Sequence, residues 1–481
     1  MDGNVISPMS SNNQYVSNVK NNNQLHNNNN CNYNTNYVNN NINNNNIKLK
    51  LHHALGYNGT IPRSTIIHPN LKNYLYIAGS VVVIAELNDA NYQEFLRGHD
   101  DEITSIAVSN SGNLIASGQL GSNSDLIVWD FKNRSILYRL AEHDFRIDLV
   151  KFSQDDKLLY SSGNIDDKKA IIWDTSNGYI VATCSTCPLK SIAMDWGYKV
   201  RDNRNIPTDS YQFATCGNSE IYLWELDPFK GLIHHNKIET GNFKRDYISL
   251  SFSLNEEKFL YAGSSSGDIV CFLVKTKMIV FSKIICAKGV TCIVPLSVDQ
   301  IVVGGGDGSL SLCYIKEPLI DILISIELFG SVYSISPSHD AVQLLASTDK
   351  GFIYRIRSVD LSYILLNENH TKGIINMYSN QTLEMNNYYD YQSNLSYGKE
   401  YNNLTLNNMI NSNVVGTTSY DGTIRLWDTN DYSVIFRMYL NQNLTPTCIS
   451  YSDECLFSGW NDGKIRTYQI NNSKGIILNI F

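Results

Sequence analysis

The sequence is poor in charge and contains no long apolar run. Asp, Glu, Lys and Arg make up 17% of the 481 residues, and the formal net charge is -8. This composition argues against a broad basic surface and therefore against nucleic acid as a partner. The most apolar stretch, residues 318–335, carries Asp321 and Glu327, so we expect no membrane-spanning helix and no membrane partner. Residues 1–50 contain no secretory signal, so the ten cysteines are expected to be reduced thiols of the cytoplasm.

Signatures of catalysis and of metal binding are also missing from the sequence. Cys184 and Cys187 form a C-x-x-C motif, but no second ligand pair for zinc has a suitable spacing. The glycine run at residues 304–308 lacks the Lys-Ser/Thr ending of a phosphate-binding loop, and no G-x-S-x-G elbow is present. We therefore expect a protein that is not an enzyme and that holds neither a metal nor a cofactor.

Asparagine dominates two tracts of the chain. Residues 1–46 contain 21 asparagines and almost no aliphatic cluster. Such a segment buries too little apolar surface to offset its ordering entropy, so residues 1–50 are expected to be disordered. A weaker alternative is β-pairing of the prion-like kind. A second tract, at about residues 378–413, is expected to be a disordered loop inserted into an otherwise regular pattern.

The remainder of the chain consists of short apolar runs that repeat. Each unit has an apolar strand, a Gly/Ser-rich strand end, an Asp or Asn turn and a second strand. The units end at positions 84, 129, 173, 224, 272, 313, 356, 427 and 468. Successive ends lie 41 to 51 residues apart, except for one gap of 71 that contains the second tract. This period is typical of WD40 blades and predicts an all-β protein with a β-propeller.

Nine units are too many for one ordinary propeller of four to eight blades. We expect residues 51–360 to form a seven-bladed WD40 propeller, because a ring covers the sheet faces and edges that an open stack exposes. Residues 361–481 are then expected to hold two blades of an incomplete second propeller, with the disordered insert at about 378–413.

Histidine and aspartate recur at fixed distances from the tryptophans. His99 and His143 each precede a unit-ending tryptophan by 30 residues, and a turn Asp or Asn precedes several unit ends by six. In WD40 repeats such a histidine joins the turn Asp and the Trp in a buried polar network. His99 has no matching Asp, because position 123 is Asn. The predicted structural network residues are His99, Trp129, His143, Asp167, Trp173, Trp224, Asp421, Trp427 and Asp462.

A small basic loop is expected after Trp196, with Lys199, Arg201 and Arg204 as its cations. Two hypotheses remain open for it. The loop could contact an acidic protein surface such as that of tubulin, or it could simply be solvated.

Several segments resemble the family of cilia- and flagella-associated protein fifty-two, also called WD-repeat protein sixteen. They include residues 56–62, 95–99, 112–119, 127–134, 240–245 and 460–466. The family is similar to two tandem seven-bladed propellers inside ciliary doublet microtubules, and this sequence stops after the second blade of the second propeller.

The resemblance implies a non-enzymatic structural protein of the ciliary or flagellar axoneme, whose partners are tubulin and other axonemal proteins. An alternative function is that of a cytosolic WD40 adaptor that scaffolds a multiprotein complex. A third hypothesis, an enzyme, is disfavoured because no catalytic constellation is present.

Overall fold

The computed structural model describes residues 51–480 apart from 90, 185–190, 203, 205, 218, 242–243, 255–257, 317, 380–413, 441–443, 452–454 and 472–473. In this part of the chain every regular element is a β-strand, which confirms the all-β prediction. Among the same residues, no helix is long and apolar enough to span a membrane. The N-terminal tract and residues 380–413 lie outside the described residues. Tyr378 and Ser379, which the prediction placed at the start of the second tract, are the last residues of a strand.

Nine four-stranded sheets follow one another along the described chain, and each is built from four consecutive antiparallel strands. The first three sheets contain β1 Thr65–Ile67, β2 Asn73–Ala78, β3 Val81–Glu86 and β4 Gln93–Arg97; β5 Ile103–Val108, β6 Leu114–Gln119, β7 Ser124–Asp130 and β8 Ser135–His143; and β9 Ile147–Phe152, β10 Leu158–Gly163, β11 Ala170–Asp174 and β12 Ile180–Cys184. The next three contain β13 Ala193–Arg201, β14 Pro207–Gly217, β15 Glu220–Asp227 and β16 Leu232–Lys237; β17 Tyr247–Phe252, β18 Phe259–Ser264, β19 Asp268–Leu273 and β20 Met278–Ile284; and β21 Val290–Pro295, β22 Gln300–Gly305, β23 Ser309–Lys316 and β24 Leu319–Glu327. The last three contain β25 Val332–Pro337, β26 Gln343–Thr348, β27 Phe352–Arg357 and β28 Tyr363–Glu368; β29 Ile374–Ser379, β30 Val414–Ser419, β31 Thr423–Asp428 and β32 Val434–Tyr439; and β33 Pro446–Tyr451, β34 Cys455–Trp460, β35 Ile465–Asn471 and β36 Lys474–Ile480.

The third strand of every sheet carries one of the nine unit ends found in the sequence. Trp173, for example, lies on β11, and Trp427 lies on β31. Both strands are buried along most of their length, because a third strand has a strand on either side and packs between sheets. A fourth, outer strand follows each unit end. The expected domain boundary at residue 360 therefore falls inside the seventh sheet, which β28 extends to Glu368.

Apolar cores lie between neighbouring sheets. One core lies between each successive pair from the first sheet to the seventh. Another joins the seventh sheet to the first, and it includes Ile67, Tyr74, Leu345 and Ile353. A further core lies between the eighth and ninth sheets. The hydrophobic surface of each sheet is thus covered by its neighbour, as the packing of layered β-structure requires.

Hydrogen bonds accompany the core between the first and seventh sheets. The backbone N–H of Ile67 donates to Ser336 Oγ at 3.0 Å, and the N–H of Thr65 donates to Ser334 Oγ at 3.3 Å. Both bonds use the inner edge of β1, where the backbone has no strand partner of its own. The first sheet is therefore a direct neighbour of both the second and the seventh.

Candidate functional site

A buried polar network joins the end of β8, the outer strand of the second sheet, to the third sheet. His143 Nδ1 is 2.6 Å from Asp167 Oδ2, and His143 Nε2 is 2.8 Å from Ser161 Oγ. Trp173 Nε1–H donates to the same Ser161 Oγ at 2.8 Å. One proton arrangement satisfies every group: Nδ1–H donates to Asp167, the Ser161 hydroxyl donates to Nε2, and its oxygen accepts from Trp173. The structure thus brings together the three predicted residues of this unit.

Asp167 also caps the turn that follows His143. Its Oδ1 accepts the backbone N–H of Asp144 at 2.8 Å, and its own N–H donates to Asn164 Oδ1 at 3.0 Å. Burial alone would raise the pKa of Asp167, but the bonds from His143 and Asp144 favour the ionised form and hold it below its usual value. Ser161, the residue that links His143 to Trp173, was missed by the sequence reasoning. Its position in the Ser-Ser-Gly end of β10 is the signal that could have identified it.

The eighth sheet contains a second complete network of the same type. His370 Nδ1 is 3.0 Å from Asp421 Oδ2, and His370 Nε2 is 2.8 Å from Thr417 Oγ1. Trp427 Nε1–H donates to Thr417 Oγ1 at 2.7 Å. Asp421 and Trp427 were predicted, whereas His370 and Thr417 were not. The insert lies between His370 and Trp427, so the 30-residue spacing that revealed His99 and His143 is not visible there.

In the second sheet glutamine takes the place of the missing turn aspartate. His99 Nδ1 is 2.6 Å from Gln119 Oε1, and His99 Nε2 is 2.6 Å from Ser117 Oγ. Trp129 Nε1–H completes the chain by donating to Ser117 Oγ at 2.8 Å. Burial lowers the pKa of His99, so the imidazole is neutral at pH 7. His99 and Trp129 therefore meet as expected, with a neutral acceptor instead of a carboxylate.

The remaining predicted residues have other partners. Trp224 donates its Nε1–H to Thr215 Oγ1 at 2.8 Å and stacks on Phe213, with ring centroids 5.7 Å apart. Asp462 pairs with Arg466 on the neighbouring strand at 2.5 Å, which lowers the pKa of Asp462 to about 2. Among the described residues no hydrogen bond joins Trp224 or Asp462 to a histidine, unlike Asp167 and Asp421.

The predicted basic loop is largely a strand. Lys199 and Arg201 lie on β13, which pairs with the long strand β14, and Arg204 lies in the turn between them. The alternating residues after Trp196 continue the strand beyond the usual length, so a two-stranded arm, the basic hairpin of residues 197–210, extends from the fourth sheet. Lys199 Nζ lies 3.2 Å from the centroid of the Tyr211 ring, and Arg201 and Arg204 are exposed.

Arg63 is a functional candidate that the sequence analysis did not find. It precedes β1, yet its guanidinium donates to the carbonyl oxygen of Met194 at 2.7 Å and to that of Leu250 at 3.0 Å. These oxygens belong to the first strands of the fourth and fifth sheets. The Arg63 guanidinium therefore connects the segment before the first sheet to the edges of β13 and β17. It donates to two carbonyl oxygens that face away from the neighbouring strand.

No group of three or more potential metal ligands is found among the described residues. Cys184 is buried in the third sheet, whereas Cys187 lies outside the described part of the chain.

Comparison with known proteins matches the WD repeats of this chain to a family. The model described as "WD domain, G-beta repeat" matches residues 91–130, 134–174 and 406–428. A chain of the solved structure titled "Crystal Structure of Mitotic Checkpoint Complex" superposes with a TM-score of 0.52, over 65% of this chain and 98% of that chain, at 14% identity. This likeness concerns the fold alone.

Sequence relatives carry the name Cilia- and flagella-associated protein 52. The cattle protein is 30% identical over 68% of this chain and 52% of its own length. The human protein is 28% identical over 88% of this chain and 63% of its own length. The protein of Chlamydomonas reinhardtii is 27% identical over 89% of this chain and 64% of its own length. The chain thus spans between about half and two thirds of the length of the curated relatives it matches. It belongs to the cilia- and flagella-associated protein 52 family of WD-repeat proteins, whose location is the cilium or flagellum.

Proposed function

We propose that this chain is a non-enzymatic structural protein of the ciliary or flagellar axoneme, bound inside doublet microtubules, with tubulin and other axonemal proteins as partners. The observation that carries the proposal is family membership. Relatives from cattle, human and Chlamydomonas reinhardtii are 27–30% identical to this chain over 68–89% of its length and are named for cilia and flagella.

The architecture supports a scaffold. We infer that the first seven sheets form a closed ring, since cores and hydrogen bonds join the seventh sheet to the first. The eighth and ninth sheets form a second unit that begins after Glu368. A rigid ring offers a wide binding surface that is already ordered, so little conformational entropy is lost when a partner binds.

The burial of the network in the third sheet argues against catalysis there. Ser161, His143 and Asp167 resemble the serine–histidine–aspartate arrangement of hydrolases. Ser161 is 0% exposed and His143 is 1% exposed, and the Ser161 oxygen is occupied by Trp173. A substrate carbonyl has no access to this hydroxyl. The three residues therefore act as a structural link between the outer strand of the second sheet and the third sheet.

Charge limits how the chain can bind an acidic surface. With a formal net charge of -8, bulk attraction to tubulin is excluded, so any contact depends on shape and on local cations. We propose the basic hairpin as such a contact, because it projects from its sheet and exposes Arg201 and Arg204. Each exposed charge pair adds little free energy, so the hairpin tunes the contact and does not create it.

Extraction of demembranated flagella tests the proposal. Tagged full-length chain in flagellated cells of its source should remain with the axoneme after detergent treatment and should be released only when the doublets are dissolved. Release by detergent alone would contradict the proposal and favour the adaptor function. In the variant Arg201→Glu/Arg204→Glu, salt-dependent release should begin at lower ionic strength. Lys275→Glu/Lys277→Glu, in a turn of the fifth sheet, makes the same change in net charge and serves as the control.

A further inference from the structure

A short segment before the first strand contacts three different sheets. Ala54 N–H donates to Gln93 Oε1 on β4 of the first sheet at 2.9 Å. The Tyr57 hydroxyl is 2.6 Å from Ser347 Oγ on β26 of the seventh sheet. The backbone N–H of Tyr57 donates to the carbonyl oxygen of His370 at 2.8 Å, and Gly56 forms a parallel bridge to the same residue. We call residues 52–57 the clasp segment.

The clasp segment also holds the far turn of the eighth sheet. The His53 ring stacks on the Tyr432 ring, with centroids 3.9 Å apart and an interplanar angle of 7°. His52 Nδ1 lies 2.7 Å from the Tyr432 hydroxyl. Burial and the neighbouring His52 lower the pKa of His53 to about 4, so the stacked imidazole is uncharged at neutral pH. These contacts tie residues at the start of the described chain to a turn 380 positions later.

Tyr432 has a backbone conformation that favours glycine. Its φ is 60°, and its N–H donates to the Asp428 carbonyl at 2.8 Å. The equivalent turn of the third sheet has Gly178, with a φ of 73° and the same bond to Asp174. A bulky side chain is disfavoured in this left-handed region. Lys277 and Leu361 adopt the same conformation, with φ of 59° and 53° and the same bond to the residue four positions before, so the turn does not require a tyrosine. What distinguishes the Tyr432 ring is its contact with the clasp segment.

A second set of contacts joins the seventh and eighth sheets on the other side of this turn. Arg437 on β32 lies over the Phe352 ring, 4.7 Å from its centroid, and pairs with Glu368 at 3.1 Å. Glu368 also pairs with the buried Arg425 at 3.3 Å. These ionic contacts fix one point of the joint, and the clasp segment fixes another. Together with the chain connection between β28 and β29, two separate contact points restrict rotation of the eighth sheet more than one contact point would.

We propose that the clasp segment locks the eighth and ninth sheets in a single orientation on the first seven sheets. Its contact with His370 extends to the network of the eighth sheet, because the carbonyl that accepts the Tyr57 N–H belongs to the histidine that binds Asp421 and Thr417. The two units thus behave as one rigid body, and the inference holds whatever the location of the protein in the cell.

Hydrogen exchange of the full chain tests the proposal, with the Tyr57 amide as reporter. In Tyr432→Gly the turn keeps its favoured backbone, and in His52→Ala/His53→Ala no sheet residue is changed. Both variants should exchange the Tyr57 amide at least tenfold faster, and small-angle X-ray scattering should show an increased maximum dimension. Tyr179→Ala, which removes an exposed aromatic ring from the equivalent turn of the third sheet, should leave both measurements unchanged. Deletion of residues 1–46 should leave exchange at Tyr57 unchanged.

Two results would overturn the inference. One is exchange at Tyr57 within twofold of the parent chain in both variants, because the ring contacts would then contribute nothing. The other is an equal increase at Tyr57 and in β10 of the third sheet, because that pattern reports general unfolding of the chain. If Tyr432→Gly disturbs the eighth sheet, His52→Ala/His53→Ala still tests the clasp contacts, because that variant changes no residue of a sheet.

Discussion

Replacing Trp173 with alanine should destabilise the third sheet by about 3–5 kcal/mol, the usual cost of truncating a buried tryptophan. The indole is 3% exposed and packs in the core between the second and third sheets. Alanine would leave a cavity among Val128, Phe152 and Leu159, all members of that core. It would also remove the N–H that occupies the Ser161 oxygen, a loss of about 1 kcal/mol that is included in the range.

A second variant separates packing from hydrogen bonding. Trp173→Phe keeps an aromatic ring in the core but has no N–H, so the expected loss is about 1–2 kcal/mol. Tyr179→Ala alters an exposed ring next to β12 of the same sheet and should change stability by less than about 0.5 kcal/mol. The expected loss of stability therefore decreases from Trp173→Ala to Trp173→Phe to Tyr179→Ala. This order depends only on the burial of each ring and on the hydrogen bond from Trp173 to Ser161.

Native-state hydrogen exchange of the amides in β10 measures these losses locally, which suits a chain of several units in which global unfolding is not a single step. Because about 1.4 kcal/mol corresponds to a factor of ten, a loss of about 4 kcal/mol predicts exchange roughly a thousandfold faster in Trp173→Ala. A loss below about 1 kcal/mol would refute the reasoning, because the network would then be absent or open to water.

Three further predictions concern other parts of the chain. Arg63→Met keeps the aliphatic stem but removes two charged donors, so urea denaturation should show a loss of about 2–4 kcal/mol, and an unchanged midpoint would contradict the bridging role. Gly267 has a φ of 94°, and a Cβ added there would lie 2.0 Å from the Cys286 carbonyl oxygen, whereas a Cβ added at Gly79 would have no atom within 4 Å. Gly267→Ala should therefore lower the melting temperature more than Gly79→Ala, and equal effects of the two substitutions would contradict this. Burial lowers the pKa of His370, so the unfolded chain binds the proton first and stability should fall as the pH drops below about 6.5. Protection factors of the β31 amides, which are corrected for the pH dependence of intrinsic exchange, should therefore be lower at pH 5.5 than at pH 7.5, and equal or higher factors would contradict this.

The repeat period predicted most of the fold because each sheet is a local unit. Every unit end lies on a third strand, where alternating apolar residues and a turn Asp or Asn give a strong pattern over few residues. The same locality made the network of His143, Asp167 and Trp173 predictable, since His143 and Trp173 are only 30 residues apart and Asp167 lies between them. The domain boundary predicted at residue 360 falls before β28, because outer strands such as β28 lack the pattern of alternating apolar residues and a turn Asp or Asn.

Contacts between distant parts of the chain left no comparable pattern. Arg63 contacts backbone carbonyls, which every residue has, so no residue type marks its partners. Tyr432 meets His53 only because the chain returns to its start after nearly four hundred residues. His370 was hidden by the insert that separates it from Trp427. These features depend on how the sheets are arranged in space, and a single sequence records that arrangement only indirectly.

Cryo-electron microscopy of doublet microtubules from the chain's own source tests the central claim most directly. The account predicts density in the lumen of the doublet that fits the first seven sheets as a ring, in contact with the tubulin wall, and that disappears when the gene is deleted. Doublets whose lumenal density is the same with and without the chain, together with recovery of the chain in the detergent-soluble fraction, would contradict it.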